Sequence, residues 1–199
     1  MKKVSLLLGA VLLVSTIALG QTLSAADRER AEKYLEQTRD GVIAATRGLS
    51  DAQLKFKPAP DRWSVAETLE HICLVEDFIF QNVTEKVMKA PAGAADRDTA
   101  KSDAMVLNMI PDRSHKAQAP PEAVPTGRWT AAESLQHFQQ SRAKTIAFVD
   151  STPDLRAHVA PSPLGPLDAY EWVLFMGAHS ERHTKQILEV KADPNFPKN

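Results

Sequence analysis

The sequence predicts an all-α fold: a four-helix bundle with a long crossover between its second and third helices. Three observations carry that expectation. Thirteen prolines punctuate the chain and leave four long proline-free windows, and proline disrupts a helix interior because it lacks an N–H and clashes with the preceding turn. Each window places apolar residues at helical spacing. No convincing run of alternating β-branched residues competes with that pattern.

The first helix opens at Ser24-Ala25-Ala26-Asp27, a variant of the capping box, and its apolar spacing continues through Tyr34, Leu35, Thr38, Val42, Ala45 and Leu49. A tight linker over 51–63 follows, from which Leu54, Phe56 and Trp63 are expected to pack back onto the bundle. The second helix opens with a full capping box, Ser64 to Glu67, and runs to about Lys89. Its inner face reads Leu69, Ile72, Val75, Phe78, Ile79, Val83 and Val87.

The crossover, 91–129, contains Pro91, Pro111, Pro120, Pro121 and Pro125, and its stretch 103–110 is apolar enough for a short extra helix. A connection of that length in a compact domain is either functional or partly mobile. The third helix has a capping box at Thr130 to Glu133 and carries Leu135, Phe138, Ile146 and Val149 to about Ser151. The fourth spans about Leu167 to Lys191. Trp172, Phe175, Met176, Ile187 and Val190 form one stripe, and Glu171, Glu181, Lys185 and Glu189 dominate the other.

Met1-Lys2-Lys3 followed by the apolar run to Leu19 and then small residues is the pattern of a secretory signal peptide, assigned to 1–26 with cleavage after Gly20 or Ala26. The apolar run is short for a bilayer span. An exported protein, periplasmic or extracellular, with no stable membrane anchor after cleavage is therefore expected. Residues 27–199 suffice for a single domain. With 24 Lys and Arg against 25 Asp and Glu and no basic tract, nothing points to nucleic acid or to a polybasic membrane patch. The lone Cys73 cannot form an internal disulfide, so stability falls to packing, with help from a metal if one is bound.

The most informative motif is His179 and His183. Their i, i+4 spacing stacks two imidazoles on one helical face, in register with Trp172 and Ile187, so both point inward and can reach the same ion. His71, in the second helix, lies on or at the edge of that helix's buried face. Three inward imidazoles provide the ligand number of a catalytic zinc-type site, with a further position for water or substrate. Cys73 lies about 200° around the helix from His71 and is a poor fourth ligand.

The remaining histidines, His115, His137 and His158, sit off the apolar stripes. Arg142 shares the core register of Phe138 and Ile146, either as a snorkelling side chain or structural ion pair, or as an anion-binding group beside the metal. Glu67 is explained by its cap and would also suit an outer carboxylate or base. Arg182 and Gln186 flank the histidine pair and are candidates for hydrogen bonds that fix the imidazole tautomers. The auxiliary set is thus Arg142, Glu67 and Gln186, with no catalytic residue assigned.

The run Trp63-Ser64-Val65-Ala66-Glu67-Thr68-Leu69-Glu70-His71-Ile72, followed by His179-Ser180-Glu181-Arg182-His183-Thr184-Lys185-Gln186-Ile187, resembles the DinB/YfiT-like superfamily, whose members are regarded as metalloenzymes. The resemblance covers nearly the whole chain after the signal. It implies an up-down-down-up bundle and a divalent metal, zinc or nickel, on His71, His179 and His183. It also implies thiol transfer or hydrolysis as the reaction class, with a low-molecular-weight thiol and an unidentified small molecule as candidate substrates. The alternative is a non-catalytic exported protein that binds metal or a small ligand. A homodimer is the candidate assembly.

Overall fold

The computed structural model describes residues 22–198; the expected signal segment lies, up to residue 21, outside the described residues. Six helices are present among them: α1 (Ala25–Thr46), α2 (Asp51–Lys55), α3 (Val65–Glu85), α4 (Thr99–Met109), α5 (Ala131–Ser151) and α6 (Ala169–Lys191). A two-residue hairpin, β1 (Val159–Ala160) against β2 (Leu167–Asp168), pairs antiparallel just before α6.

The helix starts are chemically explicit. Ser24 accepts from the Asp27 N–H at the start of α1, and α3 and α5 open with reciprocal capping boxes, Ser64 with Glu67 and Thr130 with Glu133. Asp168 and Glu171 form a further box at α6, and Ser50 with Gln53 starts α2, a short helix within what the sequence reads as linker. Each cap satisfies N–H groups that have no partner in the helix, typically worth about 1 kcal/mol. The short crossover helix is real and is somewhat longer than expected, capped by Asp98.

The helix directions follow from the side-chain ties between them. Tyr34 donates to Glu181 and Lys191 donates to the Ala45 carbonyl, so α1 and α6 run parallel. Cys73 donates to the Ser134 carbonyl and Ser141 to Asp77, so α3 and α5 are parallel too. Arg28 reaches the Asp150 carbonyl while Arg142 reaches that of Leu35, which makes α1 and α5 antiparallel. The order is up-down-down-up, with α1 packed on α5 and α6, and α3 packed on the same two. The close approach of α1 to α6 needs Gly177: a Cβ there would lie 2.7 Å from the Tyr34 ring.

Two parallel neighbours cannot be joined by a tight turn. After 21 residues of α3 the chain must travel back about 30 Å to begin α5, and α4 does part of that journey packed along α6. At the pole where α3 ends, Asp103 of α4 takes Arg30 and Arg156, while Arg97 holds Asp168 and Glu171. The start of the crossover is thereby fastened to the bundle.

The inner face of α3 departs from the sequence reading at one position, whereas Arg142, read as core-facing, takes the structural ion-pair role among its alternatives. Phe78, expected on the inner face, is 50% exposed; it shares its side of α3 with Gln81 and Glu85, which are also exposed. Arg142 is fully buried at the centre of the bundle. Its guanidinium pairs with Glu76 of α3 at 2.7 and 2.8 Å and donates to the Leu35 carbonyl and Thr38 of α1, and to Ser180 and the Met176 carbonyl of α6.

Replacing Arg142 with Met is expected to destabilise the protein by about 3–5 kcal/mol in urea unfolding, because Glu76 is left as an unpaired buried charge. Adding Glu76→Gln should recover a large part of that loss. Equal stability of the single and double variants would show that the pair is not the source of the effect.

Candidate metal centre

The end of the bundle that holds the beginning of α3 and the last turns of α6 is packed by Val42, Val65, Leu69, Ile72, Phe138, Ile187 and Val190. Because α3 and α6 are antiparallel neighbours, His71 of α3 meets His179 and His183 of α6 there. One ligand atom from each of the three lies within 4.8 Å of the other two. The Nε2 atoms of His71 and His179 are 3.1 Å apart, and the His183 ring centroid is 4.5 Å from that of His71 and 4.3 Å from that of His179. His71 and His183 are buried, whereas His179 keeps a partly exposed edge.

Fixed acceptors set the tautomers of two of the rings. His71 Nδ1 lies 2.7 Å from the Ala123 carbonyl oxygen, which can only accept, so the ring proton sits on Nδ1 and the Nε2 lone pair faces the other imidazoles. His183 Nδ1 is 2.9 Å from Gln186 Oε1. That oxygen also accepts from Arg113 Nη1 at 3.1 Å, which orients the amide with its oxygen toward the histidine. Arg113 is itself held by Glu189. Aromatic rings wall the cluster: Trp63 lies 4.7 Å from His71, and Phe175 stacks beside His179.

Burial pushes His179 and His183 well below the ordinary histidine value of 6.5, and the mutual repulsion of the cluster and the nearby Arg182 add to it. His71 is lowered as well, again by burial, against an opposing pull from the Ala123 carbonyl. All three are neutral bases at physiological pH. Neutral imidazoles whose ring nitrogens converge form a donor set suited to a divalent ion of borderline softness.

The residues read from the sequence divide cleanly. His71, His179 and His183 come together, and Gln186 contacts His183. Arg142 does not join them: its N–H groups are engaged in the core, which leaves none for an anion. Glu67 is held by its own cap and by Lys57. Arg182, expected to steady the imidazoles, instead binds the crossover carbonyls of Ile110, Asp112 and His115. His137 pairs with Asp77, and His158 Nδ1 contacts the Ala90 carbonyl.

The sequence reading missed Ala123, Arg113, Trp63 and Phe175 as parts of this site. Ala123 acts through its backbone, which no residue pattern marks. Trp63 and Phe175 read as ordinary packing residues.

The model of the DinB superfamily matches residues 34–187. The uncharacterized protein YuaE of Bacillus subtilis (strain 168) is 26% identical over 148 residues, 73% of this chain and 87% of that one. Among solved structures, YfiT from Bacillus subtilis, described as "a probable metal-dependent hydrolase with an unusual four-helix bundle topology", aligns with a TM-score of 0.56 at 15% identity. The alignment covers 88% of this chain and 91% of YfiT.

Because the folded histidines titrate below 6.5, the unfolded chain binds more protons in the window beneath that value, and folding stability falls as pH drops through it. In the presence of chelator the thermal midpoint is expected to decline from about pH 6.5 downward, and His183→Leu should flatten that decline. An unchanged slope in the variant would contradict the assignment.

Proposed function

The chain belongs to the DinB superfamily, and on that premise we propose that it is a divalent-metal-dependent enzyme, in the first instance a hydrolase, whose ion is held by His71, His179 and His183. The observation that carries this reading is the convergence of three neutral imidazoles from two antiparallel helices, two of them with their outer nitrogens already engaged. The description of YfiT as a probable metal-dependent hydrolase supports the same reading. No fourth His, Cys, Asp or Glu joins the group among the described residues, and three protein ligands are the pattern of a catalytic rather than a structural zinc site. Zinc or nickel fits the all-nitrogen donor set.

When bound, such an ion supplies Lewis acidity and, at neutral pH, an activated water or thiol nucleophile. The chain's own residues do the rest. His71 and His183 present Nε2 because Ala123 and Gln186 hold their Nδ1 protons. Trp63 and Phe175 shield the histidines with apolar surface, lowering the local dielectric and strengthening electrostatic interactions inside it.

Reconstitution with zinc or nickel is expected to give about one tightly held equivalent. His71→Ala, His179→Ala and His183→Ala should each weaken binding by more than the roughly 10- to 100-fold typical of an outer hydrogen-bond partner. Ester, amide and thiol-transfer substrates should be turned over only by the loaded wild type. Metal uptake without turnover would favour the non-catalytic binding protein, and full turnover in the triple variant would defeat metal dependence.

Export is part of the proposal. Leu23 is buried and its N–H donates to the Pro153 carbonyl, while Ser24 caps α1. A cut after Gly20 keeps these contacts and a cut after Ala26 removes them. N-terminal sequencing of exported protein is expected to begin at Gln21.

A further inference from the structure

We infer that Glu70 is a positioning residue for the metal centre, acting through the crossover to fix the tautomer and orientation of His71. The inference rests on the three-histidine metal reading. Thr68–Glu76 of α3 is an unbroken stretch of nine buried residues, so this part of the helix is covered on every side. Among the covering segments is the crossover, whose Thr126, Gly127 and Arg128 meet Glu70.

Glu70 is 2% exposed, yet no core cation holds it. Its carboxylate grips the loop instead. Oε1 accepts from the Thr126 N–H at 2.8 Å and from the Thr126 hydroxyl at 3.2 Å, while Oε2 accepts from the Gly127 N–H at 2.8 Å. The Arg128 N–H adds a longer contact at 3.4 Å, and Arg128 Nε stands 3.6 Å away at the rim. Gly127 adopts φ +75°, the left-handed conformation that favours glycine, where its N–H donates to the carboxylate. Bonds from backbone donors to a buried carboxylate are charge-assisted and among the stronger ones in proteins.

The same loop holds His71. Ala123 closes a 3-10 turn on Pro120 and offers its carbonyl to His71 Nδ1. Only Val124 and Pro125 separate it from Thr126, and the proline ring fixes its own φ. A short, stiff segment therefore transmits the grip of Glu70 on residues 126–128 to the Ala123 carbonyl. If that carbonyl moves, the His71 proton is free to occupy Nε2, where it points at His179 and blocks the lone pair that a metal needs.

The full chain, its Glu70→Gln variant and its Gly127→Ala variant test this. Gln keeps the size of Glu but sets an NH₂ group against the loop donors, and Gly127→Ala strains the same latch from the other side. Histidine ¹⁵N–¹H correlation spectra of the metal-free proteins should show His71 protonated on Nδ1 in the wild type and mixed between the two nitrogens in both variants. Zinc affinity, measured by competition with a chromophoric chelator, should fall by roughly 10- to 100-fold in both.

The combined substitution should lose no more than the worse single one, because both act through one latch. An unchanged tautomer in both variants overturns the inference, as does an affinity loss in which His71 stays on Nδ1. If the wild type takes up no zinc, cobalt or nickel, the metal reading fails, and the spectra of the metal-free proteins still decide the role of Glu70.

Discussion

One guanidinium touches all four long helices. Arg142 leaves α5 to pair with Glu76 of α3, and donates to backbone and hydroxyl groups of α1 and α6. A fully buried cation tolerates little displacement, because losing any partner leaves charge or a polar group without compensation. That intolerance sets the register of the bundle. Glu76 and Ser180 are held to the same guanidinium, so α3 and α6 cannot slide past one another. His71 lies five residues before Glu76, about 7.5 Å along its helix, and His179 and His183 lie on either side of Ser180. The Arg142 clamp is thus what brings histidines about a hundred residues apart in sequence to one place, although it is not part of the site.

The second constraint is topological. Because α3 and α5 are parallel, the connection between them must run the length of the bundle, and its length is a geometric necessity before it is a functional device. Having to pass this way, it covers what it crosses. Its first part is fastened by the Asp103 and Arg97 ion pairs, its middle by Arg182 of α6 and by its own Arg113, which reaches Gln186 and Glu189 of α6, and its end by Glu70 and His71 on α3. The crossover therefore bridges the two helices that bear the histidines, and supplies or supports the acceptors that hold the outer nitrogens of two of them.

How much of this the sequence disclosed depended on whether the signal was local. The capping boxes at Ser64 and Thr130 are contained in four residues each, and both mark real helix starts. The inward register of His179 and His183 is likewise a property of one helix. Phe78 failed because an apolar side chain on a helix does not say whether a neighbour covers it, and the stripe with Gln81 and Glu85 is left open. Arg142 was legible as core-facing but not as fully engaged, since its partners come from three other helices. Ala123 was invisible, because a backbone carbonyl has no residue type.

The histidine cluster turns the lone pairs of two rings toward its centre. His71 and His183 both direct Nε2 lone pairs inward, because their protons are fixed on the outer nitrogens by Ala123 and Gln186. The 3.1 Å contact between His71 and His179 relieves one of those lone pairs, if His179 carries its proton on Nε2. It does so at the expense of the third ligand position. Protonating the cluster is the ordinary way to relieve such repulsion, but burial and the neighbouring Arg182 oppose added positive charge on the rings. A divalent cation differs from a proton in that it can accept all three lone pairs together, which compensates its own desolvation. The acceptors that hold the outer nitrogens of His71 and His183 are the same ones that would make the cluster a ready ligand set, and this is the physical link between the packing of the crossover and the proposed chemistry.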